Sequence, residues 1–158
     1  MIRRLLPVTT ALLACIACTD TTAPKPLALG SPEFARSGTF HIEKDCGAYG
    51  GGAGDSCTIT SSTLEQIERW STITYASRAE GASLNTDVVL DLPGPGNNKA
   101  FGHCVINLSP VSVGTVVGEC TLSGGTGKFT RLHASVAVSY IGGPNYAWDG
   151  SYSFGEGE

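Results

Sequence analysis

The chain has 158 residues, of which 41% are hydrophobic and only 15% are charged, and its formal net charge is −4 at pH 7. This acidic balance argues against nucleic acid as a partner, because binding to phosphates depends on a surplus of lysine and arginine. The length fits one ordinary domain with a single hydrophobic core.

The first eighteen residues have the pattern of an export signal. Arg3 and Arg4 are followed by an apolar stretch over residues 5–17, and no acidic residue comes before Asp20. This is a positive n-region with an h-region of signal-peptide length. It is shorter than the roughly 20 apolar residues that a membrane-spanning helix needs. Residues 1–18 are therefore predicted to direct export.

Two cysteines near the end of this segment resemble the lipobox of bacterial lipoproteins, in which an apolar and a small residue precede a cysteine that is lipidated and becomes the new N-terminus. Cys18 leaves the more usual h-region length, whereas Cys15 has the better residue, Leu12, three places before it. We prefer Cys18 and keep Cys15 as the alternative. An ordinary secretory signal with two incidental cysteines also stays open. A lipoprotein would be exported and held at a membrane of the cell envelope by its acyl chains alone.

Residues 19–38 are predicted to form a disordered tether, because they contain three prolines and many small polar residues. Without the first eighteen residues, 8 basic and 14 acidic residues remain, which gives a formal charge of −6. Residues 39–158 are then the folded domain.

Alternation of apolar and polar residues predicts seven strands in this domain. They lie at residues 39–45, 71–78, 86–92, 100–108, 114–122, 132–141 and 146–154. Turn-forming residues separate them, as in Gly142-Gly143-Pro144-Asn145. Helical spacing is confined to the segment from Ser62 to Trp70, which opens in the form of a capping box. We expect one short helix there, or a turn leading into the Ser71 strand. Seven or eight strands with short antiparallel connections are typical of a barrel or a sandwich.

The four cysteines beyond the signal are predicted to form two disulfides, because their number is even and the compartment is oxidising. If the fourth and fifth predicted strands form a hairpin, Cys104 lies opposite Cys120, and Cys46 pairs with Cys57 around a glycine-rich loop. No metal is expected, because the histidines are scattered and no cysteine pair has the spacing of a zinc site.

The glycine-rich segment Gly124-Gly125-Thr126-Gly127-Lys128-Phe129 does not match a phosphate-binding loop. The Walker pattern would need glycine in place of Leu122 and a hydroxyl in place of Phe129. Glycines that supply positive φ angles in a tight turn are the better explanation, with Phe129 entering the core.

This turn and its neighbouring strands resemble the allene oxide cyclase barrel-like superfamily, which includes the dirigent proteins. The neighbouring segments are the strand that begins at Gly118, the alternating strand to Tyr140 and the run from Trp148 to Phe154. The resemblance covers roughly residues 100–155. It implies an all-β fold, a small antiparallel barrel of about eight strands, with a largely apolar interior pocket. Members of the family steer reactive intermediates through cyclisation or coupling without a metal or organic cofactor. No functional residue of the plant enzymes matches a position here, and an anchor and disulfides are not hallmarks of those enzymes.

The inward face of such a barrel supplies the candidate ligand-pocket residues. Tyr146, Trp148 and Tyr152 share one face of the last strand, and Tyr75 shares a face with Ile73. We expect the aromatic strand to belong mainly to the core, with a ligand platform as the alternative. No catalytic residue can be chosen. The charged residues outside this face are expected on the outer surface; they are Arg78, Asp91, Glu119 and Asp149. His103 shares a face with Phe101 and Val105, and we expect it to be hydrogen-bonded or exposed rather than a general base.

Two functions follow as hypotheses. The first is a cell-envelope lipoprotein whose β-barrel binds a small apolar ligand or an envelope partner. The alternative is a cofactor-independent isomerase or cyclase of the allene oxide cyclase type, which needs an ionisable group buried at the cavity. An exported inhibitor is a third hypothesis, although the sequence offers no exposed loop with a marked recognition residue.

Overall fold

The computed structural model describes residues 37–155. The predicted export signal with its two candidate lipidation sites, and residues 19–36 of the predicted tether, lie outside the described residues.

Eight antiparallel strands form a closed barrel, in which each strand pairs with the next along the chain and the last pairs with the first. This confirms the predicted all-β class and barrel architecture. The strands are β1 (Ser37–Asp45), β2 (Ser56–Ser62), β3 (Thr72–Tyr75), β4 (Ser83–Asp91), β5 (Lys99–Asn107), β6 (Val116–Gly125), β7 (Leu132–Gly142) and β8 (Asn145–Phe154). Within the described range the one helical element is a 3-10 turn at Gly127–Phe129, and no helix is long and apolar enough to cross a membrane.

The strand β2 was not predicted, because only Cys57 and Ile59 in it are apolar and a glycine-rich loop precedes it. The prediction of a short helix after β2 is wrong. The alternative prediction, a turn leading into the next strand, is confirmed. The hydroxyl of Ser62 accepts a hydrogen bond from the backbone N–H of Leu64, two residues on, so the chain turns at once. Trp70 ends the segment with a φ of 73°, which lies outside the right-handed helical region.

Connections between strands close one end of the barrel, which we call the Phe129 end. The loops that follow β2, β4 and β6 meet there, and each contributes buried side chains to the core. These side chains are Leu64, Ile67, Leu92 and Phe129. The opposite end, which we call the Lys44 end, carries the loops that follow β1, β3, β5 and β7.

Both predicted disulfides are present. Cys104 on β5 lies directly opposite Cys120 on β6, and the bond between them is buried inside the barrel. Cys46 is joined to Cys57 and closes the glycine-rich loop at the Lys44 end. Each bond is expected to stabilise the fold by about 2–4 kcal/mol, mainly by restricting the unfolded chain.

Glycine is required at two kinds of position. In the glycine-rich turn, Gly124 and Gly127 have φ angles of 83° and 56°, and Phe129 is fully buried, as predicted. In the middle of β8, a Cβ atom on Gly150 would collide with the backbone oxygen of Ser135 and lie 2.8 Å from the Cα atom of Val136 on β7. Gly150 therefore lets two strands of the closed barrel approach each other.

We expect Gly150→Ala to lower the free energy of unfolding by about 1–3 kcal/mol, because the added methyl group forces β7 and β8 apart. Gly155→Ala is the matched control, since a Cβ atom at Gly155 meets nothing within 4 Å. Urea denaturation of both variants measures the effect. Equal stability of the two variants would show that the backbones can separate at little cost.

Candidate functional site

Lys44 is the one charged side chain that is buried among residues 37–155, with an exposed fraction of 1%. It lies near the end of β1, where alternation turns Phe40, Ile42 and Lys44 to the interior. Strands pair with β1 on both sides, so its backbone is enclosed as well. The sequence therefore places an amine inside a barrel whose other inward residues are mostly apolar.

The ammonium group of Lys44 is surrounded by aromatic groups. Its Nζ atom donates a hydrogen bond of 2.8 Å to the hydroxyl of Tyr75 and lies 4.4 Å from the centre of the Trp148 ring. Among the described ion pairs, none joins a carboxylate to Nζ within 4.0 Å. Ring faces and one hydroxyl stabilise a cation less than a carboxylate does, so the charged form is poorly compensated.

Burial lowers the pKa of Lys44 from its ordinary value of 10.5 to about 7. The cause is desolvation, which penalises the charged form of an amine that has left water. Near neutral pH, a substantial fraction of molecules therefore carries a neutral amine, which can act as a base or a nucleophile.

Tyr75 connects Lys44 to the disulfide at this end of the barrel. Its hydroxyl accepts the hydrogen bond from Lys44 and lies 3.7 Å from the Sγ atom of Cys57. Because a disulfide sulfur has no hydrogen to donate, the hydroxyl is the donor in that weak contact. Burial raises the pKa of Tyr75, so its phenol keeps its proton at neutral pH. The tyrosine thereby holds the amine in one position.

A small cavity of about 30 Å³ lies beside Lys44 at this end of the barrel. That volume holds one or two water molecules. Lys44 lines it together with three tyrosines, Tyr49, Tyr75 and Tyr146, and the accessible surface of its wall is almost entirely apolar. The remaining wall is formed by the disulfide and by aliphatic side chains, which are Leu84, Ile106, Leu108 and Val138.

The phenols at the cavity stay protonated at neutral pH. Burial raises the pKa of Tyr49 and also that of Tyr146. The hydroxyl oxygen of Tyr49 is buried and has no hydrogen-bond partner among the described residues. A buried hydroxyl without a partner is costly, and a polar ligand at the cavity would offset that cost. Lys44 is thus the group at this cavity whose charge changes near pH 7.

The four predicted pocket residues divide between two places. Tyr75 and Tyr146 line the cavity, and Trp148 is fully buried against the amine of Lys44. Tyr152 lies towards the Phe129 end, where its ring packs edge to face against Phe40 and Phe154 at centroid distances of 5.9 and 5.8 Å. The structure therefore brings three of the four together around a lysine.

Sequence reasoning missed Lys44 and Tyr49. Alternation from Phe40 through Ile42 does place Lys44 on the inward face, but a lysine near the end of a strand is normally solvent-exposed. Tyr49 stands in the glycine-rich loop, and the disulfide between Cys46 and Cys57, together with hydrogen bonds such as that from the Tyr49 N–H to the Cys46 carbonyl, brings it to the cavity. A lysine on the inward face of a strand, next to a predicted disulfide, is the sequence feature that could have indicated this site.

The charged residues expected on the outside are found there and do not reach the cavity. Arg78, Glu119 and Asp149 are exposed, and the exposed ring of His103 has its Nδ1 atom 2.8 Å from a carboxylate oxygen of Asp87. Asp91 is half-buried and forms an ion pair with Lys99. Over residues 37–155, no group of three or more histidine, cysteine, aspartate or glutamate side chains could hold a metal ion.

Comparisons with known proteins found no family model, no curated protein and no solved structure that matches this chain significantly. The resemblance to the allene oxide cyclase barrel-like superfamily, stated above on the glycine-rich turn and its neighbouring strands, therefore stays a prediction.

We expect Lys44→Met to have a larger free energy of unfolding than the parent protein at pH 7. The difference between the two free energies is expected to decrease as the pH rises towards 9. The unfolded chain binds a proton at Lys44 up to about pH 10.4, whereas the folded chain releases it near pH 7, so the parent gains up to about 1.4 kcal/mol per pH unit over this interval. Methionine has a similar length and no charge to bury.

Lys99→Met is the control for this prediction, because Lys99 is partly exposed and paired with Asp91. Its stability difference from the parent is expected to stay constant from pH 7 to 9. Urea denaturation at each pH measures both variants. If the difference in free energy of unfolding between Lys44→Met and the parent does not change with pH, the lysine keeps its ordinary pKa in the folded protein.

Proposed function

We propose that this protein binds a small ligand with an apolar body and one carboxylate end, held at the Lys44 end of the barrel. The observation that carries the proposal is a fully buried lysine beside a cavity, with no carboxylate partner among the described residues. Charge-assisted hydrogen bonds to a carboxylate are about twice as strong as neutral ones. A ligand carboxylate would supply the counter-charge that the barrel itself does not.

The cavity wall supports an apolar body for this ligand. Leu84, Ile106, Leu108 and Val138 provide aliphatic contacts, and Tyr49 and Tyr146 provide aromatic edges. The cavity holds one or two water molecules, so without rearrangement it admits no more than the carboxylate head group. A longer body needs the side chain of Tyr49 to swing aside, which costs little in strand pairing because Tyr49 stands on a loop.

We place this binding function in the cell envelope. The export pattern of residues 1–18, with lipidation at Cys18 or alternatively Cys15, would anchor the domain to a membrane through acyl chains alone. The two disulfides support an oxidising compartment. The acidic charge supports a partner other than nucleic acid.

A cofactor-independent isomerase or cyclase is the second candidate, and one observation favours it. The neutral amine of Lys44 is a proton acceptor and the phenol of Tyr75 is a proton donor, and the two are 2.8 Å apart at the cavity. A base with a pKa near the working pH is what proton-transfer catalysis requires. If the protein binds a ligand and leaves it chemically unchanged, the result supports the binding function and contradicts the isomerase or cyclase.

The binding proposal predicts that straight-chain carboxylates from butanoate to decanoate change the fluorescence of Trp148, whereas the corresponding alcohols do not. Trp70→Phe removes the other tryptophan, which is 61% exposed, so that the tryptophan fluorescence comes from Trp148 alone. Affinity is expected to fall as the pH rises above 7, by up to about tenfold per unit, because the neutral amine no longer attracts the anion.

Lys44→Met in the same background should weaken carboxylate binding by roughly tenfold or more, since it removes a charge-assisted hydrogen bond. Lys99→Met is the matched control and should bind like the parent. Equal affinity of Lys44→Met and the parent, or of carboxylates and alcohols, would refute a site built on this lysine.

The anchoring proposal predicts that Cys18→Ser yields a protein without acyl chains, whereas Cys15→Ser remains acylated. Mass spectrometry of the protein extracted from bacterial membranes measures the N-terminal modification directly. The reverse result would assign lipidation to Cys15. A protein without acyl chains in both variants and in the parent would identify an ordinary secretory signal.

A further inference from the structure

We propose that Lys44 captures small aldehydes as an imine, so that the Lys44 end of the barrel is a covalent site for carbonyl compounds. This inference rests on the same cavity as the proposed function and extends its ligand class from carboxylates to aldehydes. The two are distinguishable, because a carboxylate needs the charged amine and an aldehyde needs the neutral one.

The position of Lys44 suits this chemistry. Lys44 lines the cavity, and its Nζ atom is held by a single hydrogen bond, to the Tyr75 hydroxyl at 2.8 Å. Lys99 and Lys128 at the surface are different, because each forms an ion pair, with a carboxylate oxygen at 2.7 and 2.9 Å respectively. Lys44 has no such partner among residues 37–155, and burial lowers its pKa to about 7.

The neighbouring groups do not compete for this role. The titratable side chains that face Lys44 across the cavity are the phenols of Tyr49, Tyr75 and Tyr146, and the pKa of each is raised by burial. The sulfurs of Cys46 and Cys57 are joined to each other and cannot act as nucleophiles. The amine is therefore the nucleophile that the cavity presents at neutral pH.

The reaction balances without an oxidant or a reductant. The nitrogen lone pair attacks the aldehyde carbon, a C–N bond forms, and the electron pair of the C=O π bond moves to oxygen. Tyr75 gives a proton to that oxygen and receives one from the nitrogen, which leaves a carbinolamine. The carbinolamine then loses its hydroxyl group with a proton from Tyr75 and returns the second nitrogen proton to Tyr75. The products are an imine and one molecule of water.

The size and polarity of the cavity define the aldehyde. Because the cavity holds one or two water molecules, a short unbranched aldehyde enters only when the side chain of Tyr49 moves aside, and branched carbonyl compounds are disfavoured further. The aliphatic wall, which includes Leu84, Ile106 and Val138, limits the access of water. Limited access of water slows hydrolysis of the imine back to its components.

The test uses the folded, disulfide-bonded protein with butanal and sodium cyanoborohydride, which reduces an imine to a stable butyl-lysine. After digestion, mass spectrometry gives the labelling rate of each lysine. Near pH 7 we expect Lys44 to be labelled roughly tenfold faster, or more, than Lys99 and Lys128, because burial lowers the pKa of Lys44 to about 7 and its amine has no ion-pair partner among residues 37–155. Near pH 10 this advantage should disappear, and it should also disappear after unfolding and reduction in urea.

Labelling of Lys44 no faster than that of Lys99 in the folded protein at pH 7 would overturn the proposal. Tyr75→Phe keeps the ring and removes the hydroxyl, so it should slow labelling of Lys44 several-fold and leave Lys99 unchanged. An unchanged rate at Lys44 in this variant would overturn the proton transfers assigned to Tyr75.

Butanoate binding measured on the same protein separates this inference from the proposed function. If butanoate binds through Lys44 and butanal does not label it, the aldehyde site fails and the carboxylate site stands. If butanal labels Lys44 and butanoate does not bind, the aldehyde site stands and the carboxylate site fails. Failure of both would mean that ligands do not reach the amine.

Discussion

The structure depends on the pairing between β1 and β8 that closes the barrel. Nine residue pairs, from Ser37 with Ser153 to Asp45 with Asn145, join the first strand to the last. Closure leaves no free sheet edge, so each residue of β1 faces either solvent or the interior. A side chain on the inward face cannot escape by a small shift of its strand, because a shift of one residue would expose Phe40 and Ile42 as well.

The burial of the Lys44 side chain follows from that constraint. In an open sheet, a lysine near a strand end would reach water along its flexible stem. Here neighbouring strands enclose it, and its amine lies between the rings of Trp148 and Tyr75. Its burial costs stability whenever it carries charge, and nothing in the packing requires an amine there rather than a methionine. Positions that cost stability without serving the fold are characteristic of functional sites.

The two disulfides serve different parts of the molecule. The bond between Cys104 and Cys120 lies inside the barrel and joins two strands that are already paired. The bond between Cys46 and Cys57 closes a glycine-rich loop that hydrogen bonds to Asp55 also hold, and it helps to bring Tyr49 to the cavity. It also contacts the hydroxyl of Tyr75, so it supports the group that positions Lys44. The binding proposal and the aldehyde proposal both depend on this second bond, because it shapes the cavity that they share.

Alternation, turn residues and cysteine count are local signals, and they predicted the all-β class, seven of the eight strands and both disulfide pairs. The sequence also indicated that Tyr75 and Trp148 face inwards. It did not determine β2, whose apolar residues are too few to form a pattern, or the turn at Ser62, whose spacing also fits a helix. The export signal and its lipidation site remain predictions of the sequence alone.

The burial of the Lys44 amine beside a cavity is visible only in the folded barrel. Its depressed pKa arises from desolvation, and desolvation depends on the surroundings that β3, β8 and the disulfide loop provide together. The residues that create it are distant in sequence, since Lys44 meets Tyr75 and Trp148 only when the barrel closes. A local pattern can place a lysine on the inward face of a strand, but it cannot show whether water reaches that face.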